Sequence, residues 1–264
     1  MANNMEILSN INEPAPVAEA YNMVVFGGTS AIAQAIVRAA GRERAVRVLL
    51  LGRNAQRLQS VKDDLTARGL TAAFQCADPS DSTLPWESLL RAAMPGRIDL
   101  FLVAHGELPV QELTLADPAL VARTLQVNFS SAAVLTVACA RMLEQQGGGS
   151  LAVIGSVAAD RGRASNFVYG SAKAGLETFL EGMRHRLAKN PNIRITTIKP
   201  GLTDTPMTAD MPKGPLFSSA EKVGALSWKA IKNGVPVAYV PGWWWPILSI
   251  IRWVPRKIFY RTKL

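Results

Sequence analysis

Met23-Val24-Val25-Phe26-Gly27-Gly28-Thr29-Ser30-Ala31-Ile32-Ala33 reads as a short apolar run, a glycine turn and the first turn of a helix. A strand that runs through glycines into a helix aims backbone N–H groups at one point. The helix dipole adds positive charge there, and a pyrophosphate is the ligand such a point favours. The spacing departs from the full glycine pattern G-x3-G-x-G, because Ala31 and Ala33 stand where its last two glycines would be. Each adds a methyl where backbone approach or helix packing wants little bulk; small size is kept, but φ > 0 is no longer cheap at either position.

Outward from this turn, short apolar runs alternate with longer segments of helical periodicity. The strand candidates are Met23–Phe26, Arg47–Leu51, Thr71–Gln75, Ile98–Val103, Leu151–Ile154, Arg194–Ile198 and Val237–Val240. Helices are expected over Ala55–Arg68, Ala119–Glu144 and Tyr169–Lys189, with the run Gly147–Gly149 breaking the chain before the fifth strand. Alternation of this kind predicts α/β architecture: one Rossmann-like, doubly wound, parallel seven-stranded sheet with helices on both faces. The expected division is a loose N-terminal arm over residues 1–20, a nucleotide-binding domain over 21–242 and an amphipathic basic tail over 243–264. A 48% hydrophobic chain of 264 residues has enough apolar surface for a large core, which excludes disorder and coiled coil as global descriptions.

The net charge of +9 lies at one end. Residues 1–221 carry 21 basic and 20 acidic side chains, whereas residues 222–264 carry 8 basic and none acidic. A balanced body with a basic, tryptophan-rich end points to an anionic interface and argues against nucleic acid. The two cysteines, Cys76 and Cys139, are far apart and belong to no Cys/His cluster, so neither a disulfide framework nor a metal site is expected. The arm lacks the basic start and apolar stretch of a signal peptide, and a reducing, cytoplasmic setting is expected.

The second strand ends Leu51-Gly52-Arg53-Asn54, without the acid that would accept from ribose hydroxyls. Arg53 would instead pair with a 2′-phosphate, which favours NADP(H), with NAD(H) as the alternative. Asp78, before Pro79, either accepts from an adenine amino group or closes an Asx turn.

Ser156 follows the fifth strand, and Tyr169 and Lys173 come 13 and 17 residues later. The i, i+4 spacing puts the phenol and the ammonium on one helix face. A tyrosine is a poor acid–base group at neutral pH; a neighbouring cation and an oxidised nicotinamide would favour its phenolate. Tyr169 would then protonate a carbonyl oxygen that Ser156 holds, with Lys173 on the nicotinamide ribose. Asn128, within the long helix, would hold a water linking Lys173 to solvent. His105 is read as structural or cofactor-adjacent, since Tyr169 already serves as the acid.

These residues, in this order, resemble the short-chain dehydrogenase/reductase family over about residues 20–242, through Gly27, Asp78, Asn128, Ser156, the Tyr169-x3-Lys173 pair and Pro200-Gly201 followed by Thr205. The resemblance implies a nicotinamide cofactor held by Gly27, Thr29, Ser30, Ile32, Arg53, Asp78, Ala104, Tyr169, Lys173, Pro200, Gly201, Thr203 and Thr205. It also implies that Ile154–Ser156 and Gly201–Thr205 border the nicotinamide, with Thr205 near its carboxamide. The chain departs from the family at Ala31, Ala33 and Ala104-His105-Gly106, where asparagine, alanine and glycine are usual.

A narrower likeness joins Gly27–Ser30, Arg161–Ser171 and the ending Trp253–Phe259 to the decaprenylphosphoryl-ketopentose reductase branch. It implies a lipid-linked keto-sugar substrate in arabinose-donor, cell-envelope biosynthesis, made by a flavin-dependent oxidase partner. Trp243–Val254 is too short to span a bilayer. Apolar positions 247, 250, 251, 254 and 258 approximate one stripe beside Arg252, Arg256, Lys257, Arg261 and Lys263, which suits an anionic inner-membrane surface. The alternative is that the tail packs on the sheet, closes the cleft or joins a homo-oligomer. A lipid phosphate would meet Arg161, Arg163 or the tail. Competing functions are reduction of a soluble or steroid-like ketone and a non-catalytic cofactor-binding scaffold.

Overall fold

Alternate side chains of a fully covered strand enter opposite cores, so both faces must be apolar. Strand β1 (Tyr21–Phe26) meets this demand in the computed structural model, which describes residues 20–81 and 83–262. Val24 and Phe26 point to one face of the sheet, Met23 and Val25 to the other, and all four are fully buried. Each such side chain contributes roughly 1.5–3 kcal/mol through its burial. The N-terminal arm expected over residues 1–20 lies almost entirely outside the described residues.

Six more strands join β1: β2 (Val46–Gly52), β3 (Thr71–Cys76), β4 (Leu100–Val103), β5 (Gly149–Ile154), β6 (Ile193–Pro200) and β7 (Val237–Val240). All pairings are parallel, in the order β3-β2-β1-β4-β5-β6-β7. The order reverses between β1 and β4, which opens a crevice at the carboxyl ends of those strands. Two two-residue strands, Thr203–Asp204 and Ser218–Ser219, pair separately.

The helices are α1 (Ala31–Gly41), α2 (Ala55–Ala67), α3 (Trp86–Ala93), α4 (Gln111–Ala116), α5 (Pro118–Leu125), α6 (Ser131–Gln145), α7 (Phe167–Leu187), α8 (Ala220–Lys232), α9 (Trp244–Trp253) and α10 (Arg256–Phe259). Helices α1, α2 and α8 cover one face of the sheet, and α3, α6 and α7 cover the other. The expected architecture is therefore what forms. Helices α1 and α8 approach closely because Gly224 faces Ala35; a Cβ at Gly224 would lie 2.4 Å from that of Ala35.

One expectation is corrected here. The helix read as continuous over Ala119–Glu144 is interrupted by a wide i→i+5 turn over Gln126–Ser130, which contains Asn128. Ala31 and Ala33 need no positive φ: α1 begins at Ala31, no described non-glycine residue has positive φ, and only Gly27 in the turn needs it, at φ 86°. The break at Gly147–Gly149 is real, with φ values of 80°, 148° and 134°.

Helix α9 lies against the body through Trp244 and Leu248, 5% and 2% exposed, which cluster with Val157 of the loop after β5. The stripe expected at 247, 250, 251, 254 and 258 is split by this docking. Ile247 and Ile251 pack toward the body, whereas Ile250 and Ile258 stay exposed.

Candidate active site

Gly27 is the point where the crevice floor depends on a missing side chain. A Cβ there would lie 2.6 Å from the backbone nitrogen of His105 and 2.9 Å from the carbonyl carbon of Ala104, so the turn after β1 can press against the chain after β4. Ala104 completes that contact by donating its N–H to the Phe26 carbonyl at 2.8 Å. Ser30 caps α1, accepting from the Ala33 N–H, with Thr29 exposed and Ile32 half-buried at the same end. Arg53 is exposed where β2 ends. Asp78 closes its own Asx turn, accepting from the Ser80 N–H at 2.9 Å and the Ser80 hydroxyl at 2.7 Å.

A helix N-terminus, a glycine pressed on a facing backbone and a strand-order reversal thus coincide. This is a cradle that fits a dinucleotide. At its far end Thr203 donates to the Gly201 carbonyl at 3.0 Å, Pro200 is buried as the last residue of β6, and Thr205 precedes a short 3-10 turn.

The proton-handling residues gather beside this cradle. Ser156 follows β5 by two residues and is 9% exposed; its hydroxyl accepts from the Ala158 N–H at 3.0 Å, which leaves its own proton available. Tyr169 and Lys173 rise from the first turns of α7. The Lys173 ammonium is 4% exposed, donates to the Ile154 carbonyl at 2.9 Å and lies 5.8 Å from the centre of the Tyr169 ring. Gly106 brings in the fourth member: a Cβ on it would lie 2.8 Å from Asn128 Oδ1 and 3.7 Å from Lys173 Nζ. The four residues expected to act together do converge.

Their electrostatics differ from expectation. Burial raises the Tyr169 phenol above its usual value, against an opposing hydrogen bond from Ser156, and the Glu177 carboxylate raises it further. The Lys173 cation does not offset this rise. Burial instead lowers Lys173 itself to about 8, with Glu177 pulling the other way. The phenol therefore holds its proton at neutral pH, as a proton donor must.

Asn128 is held by the backbone around it. Its fully buried amide donates to the carbonyls of Glu107 (2.9 Å) and Thr124 (3.0 Å) and accepts from the Glu107 N–H at 3.1 Å. The side chain thus ties the wide turn to the segment after β4. His105 is structural, as read: Nε2 meets the Ser131 hydroxyl at 2.9 Å, and burial lowers the imidazole to about 3, so it stays neutral.

Three features escaped the sequence reading. Lys199 of β6, 3% exposed, meets Glu177 at 2.7 Å and also Asp160, which accepts from the Tyr239 hydroxyl at 2.8 Å. Glu177 continues the i+4 series from Tyr169 and Lys173, a signal that was legible. Trp244 lies on Gly201, where an added Cβ would sit 1.7 Å from the indole Nε1. Arg161, expected near a lipid phosphate, is occupied instead: it donates to the carbonyls of Ile251, Arg252 and Val254 and stacks 3.7 Å from the centre of the Phe259 ring.

Comparison with known proteins places this geometry. The family model described as short chain dehydrogenase matches residues 21–215. An uncharacterized oxidoreductase of Streptomyces coelicolor is 31% identical over 245 residues, covering 91% of this chain and 95% of the relative. Among solved structures, a putative gluconate dehydrogenase from Agrobacterium tumefaciens superposes with a TM-score of 0.75 at 18% identity, over 87% of this chain and 96% of that one. Actinorhodin polyketide ketoreductase with NADPH gives 0.74 at 19% identity, over 84% and 95%. With the seven-stranded parallel sheet, the dinucleotide cradle and the Ser156, Tyr169 and Lys173 cluster in place, the chain belongs to the short-chain dehydrogenase family of NAD(P)-dependent oxidoreductases.

Proposed function

We propose that this enzyme works as a carbonyl reductase on a keto sugar carried by a polyprenyl phosphate, with NADP(H) preferred. The observation that carries the reductive direction is the half-buried Tyr169, its phenol held protonated beside Ser156 and one turn from Lys173. A bound reduced nicotinamide supplies hydride to the carbonyl carbon. Tyr169 gives its proton to the carbonyl oxygen, and the Ser156 hydroxyl, already oriented by Ala158, donates to that oxygen and fixes it. Lys173 sets a positive charge one helical turn from the phenolate left behind, and its bond to Ile154 keeps it in position. Asn128 holds Gly106 and Glu107 so that the wall beside Lys173 stays closed.

The substrate class rests on the likeness of Arg161–Ser171 and the tail to the ketopentose-reductase branch, with a flavin-dependent oxidase supplying the ketone. One charge supports it. Arg163, in the loop between Ser156 and Tyr169, is half-buried and makes no ion pair among the described residues. Burial lowers its guanidinium, so an added anion would be welcome there. Arg53, exposed and free of any ion pair among the described residues, supports a 2′-phosphate.

The test is consumption of NADPH and NADH, followed by absorbance, with a polyprenyl-phosphoryl 2-ketopentose and with soluble and steroid ketones. Turnover of the lipid-linked ketone at far higher kcat/KM supports the reading. Preference for a soluble or steroid ketone would replace the substrate class, and no turnover of any would return the chain to a scaffold role.

A further inference from the structure

The tail helix has an inner face and an outer face, and only the inner one is explained by the fold. Trp244 and Leu248 are buried against Val157, and Arg161 grips the carbonyl end of α9 while stacking on Phe259. The rear of the tail is therefore anchored to the loop that separates Ser156 from Tyr169. What remains outward is apolar and aromatic: Trp245, Ile250, Trp253, Ile258 and Tyr260 are 62%, 68%, 87%, 59% and 76% exposed. A shallow apolar hollow lined by Ser249, Ile250, Trp253 and Val254 opens among them.

Exposed cations accompany this face: Arg252, Arg256, Lys257 and Arg261. None is in an ion pair among the described residues, and the chain carries no acid after Glu221. Two occupants compete for such a surface. A second copy meeting it through a two-fold axis would set the same patch on itself, four cations against four with no acid of the segment to offset them. An anionic bilayer presents the opposite charge, and its interface is the environment where tryptophan and tyrosine, apolar bodies with a polar edge, reside.

We propose that the outer face of α9 and α10 docks on an anionic lipid surface, with Trp245, Ile250, Trp253, Ile258 and Tyr260 in the acyl boundary and the four cations among the headgroups. The elements are short and rigidly backed, so they lie in the interface plane and do not cross it. Docking there puts the loop held by Arg161, and with it the active-site mouth, next to the bilayer. The proposal fits the lipid-linked substrate but does not depend on it, because its readout is partition and not turnover.

The experiment is flotation of the full chain with vesicles of two parts phosphatidylcholine to one part phosphatidylglycerol, against vesicles of phosphatidylcholine alone. The full chain is expected to float with the anionic vesicles and to be released by high salt. Ile250→Ser with Trp253→Ser, and separately Arg256→Gln with Lys257→Gln and Arg261→Gln, should each lower partition by at least about tenfold. Both variants alter exposed side chains only, and an unchanged nucleotide titration confirms that they are folded. Absence of wild-type flotation overturns the proposal, as does equal partition of the variants. So does sedimentation equilibrium showing a dimer that the Ile250→Ser, Trp253→Ser variant dissociates while vesicles take up neither form.

Discussion

The Lys173 ammonium donates to the carbonyl of Ile154 at 2.9 Å. This bond joins α7, which bears Tyr169, to the end of β5 two residues before Ser156, so one cation sets the distance between the proton donor and the oxygen-holding hydroxyl. Its position is bought with stability: burial lowers Lys173 from 10.5 to about 8, a penalty of about 3 kcal/mol while both folded and unfolded forms are charged.

Lys173→Met is therefore expected to stabilise the fold while destroying activity. At pH 7 the melting temperature should rise by about 2–6 °C, the lost hydrogen bond taking back part of the gain. The sign follows from the lowered value: the wild-type penalty is complete below pH 8 and fades between 8 and 10.5, where the unfolded chain binds more protons. Thermal melts of both proteins at pH 7 and 10 check this; the gain should shrink at the higher pH.

Tyr169→Phe should lower kcat for ketone reduction by about 10²–10⁴-fold and leave the nucleotide dissociation constant within about twofold, since the phenol is not part of the glycine cradle. Because burial raises the phenol, reduction should not gain from rising pH between 6 and 9, whereas alcohol oxidation, which needs the phenolate, should speed up over that range. Initial rates in both directions across pH decide it.

Gly27→Ala should abolish nucleotide binding. The new methyl would meet the His105 nitrogen at 2.6 Å, and φ 86° adds about 1–2 kcal/mol of strain. Fluorescence titration with NADPH, together with a melt showing that the protein still folds, tests the assignment. Wild-type affinity would remove Gly27 from the cradle.

Lys199→Met leaves Asp160 and Glu177 buried without their cation and should cost about 3–5 kcal/mol. Adding Asp160→Asn and Glu177→Gln should recover most of that loss, because the charges are then gone as well. Chemical denaturation of the single and triple variants measures the difference.

Arg161→Lys should loosen the tail although the charge is kept, because an ammonium cannot stack flat on Phe259 while it donates to the carbonyls that Arg161 Nη1 reaches. Limited trypsin digestion should cut at Arg252 or Arg256 faster than in the wild type, and equal rates would show that the guanidinium does not hold the tail.

The sheet was legible because each strand is buried on both faces and had to be written as an apolar run; all seven candidates lie in observed strands, apart from Ile98 and Asp99, which precede β4. The pair Tyr169 and Lys173 was legible because a helical turn has a fixed length, so i, i+4 spacing is already geometry, and Ser156 and Asn128 joined it through their order along the chain. Asn128 shows the limit. Its place in the chain was readable, but its hydrogen bonds to Glu107 depend on a wide turn and on a segment 21 residues away.

The order of residues alone determined the class of fold, the glycine cradle and the spacing of the proton-handling groups, since these follow from local backbone geometry and burial period. Tertiary structure decided what each charge does. Whether Arg161 grips the tail or awaits an anion, how far burial lowers Lys173, and which face of α9 is left outside all depend on solvent exclusion and on partners far away in sequence.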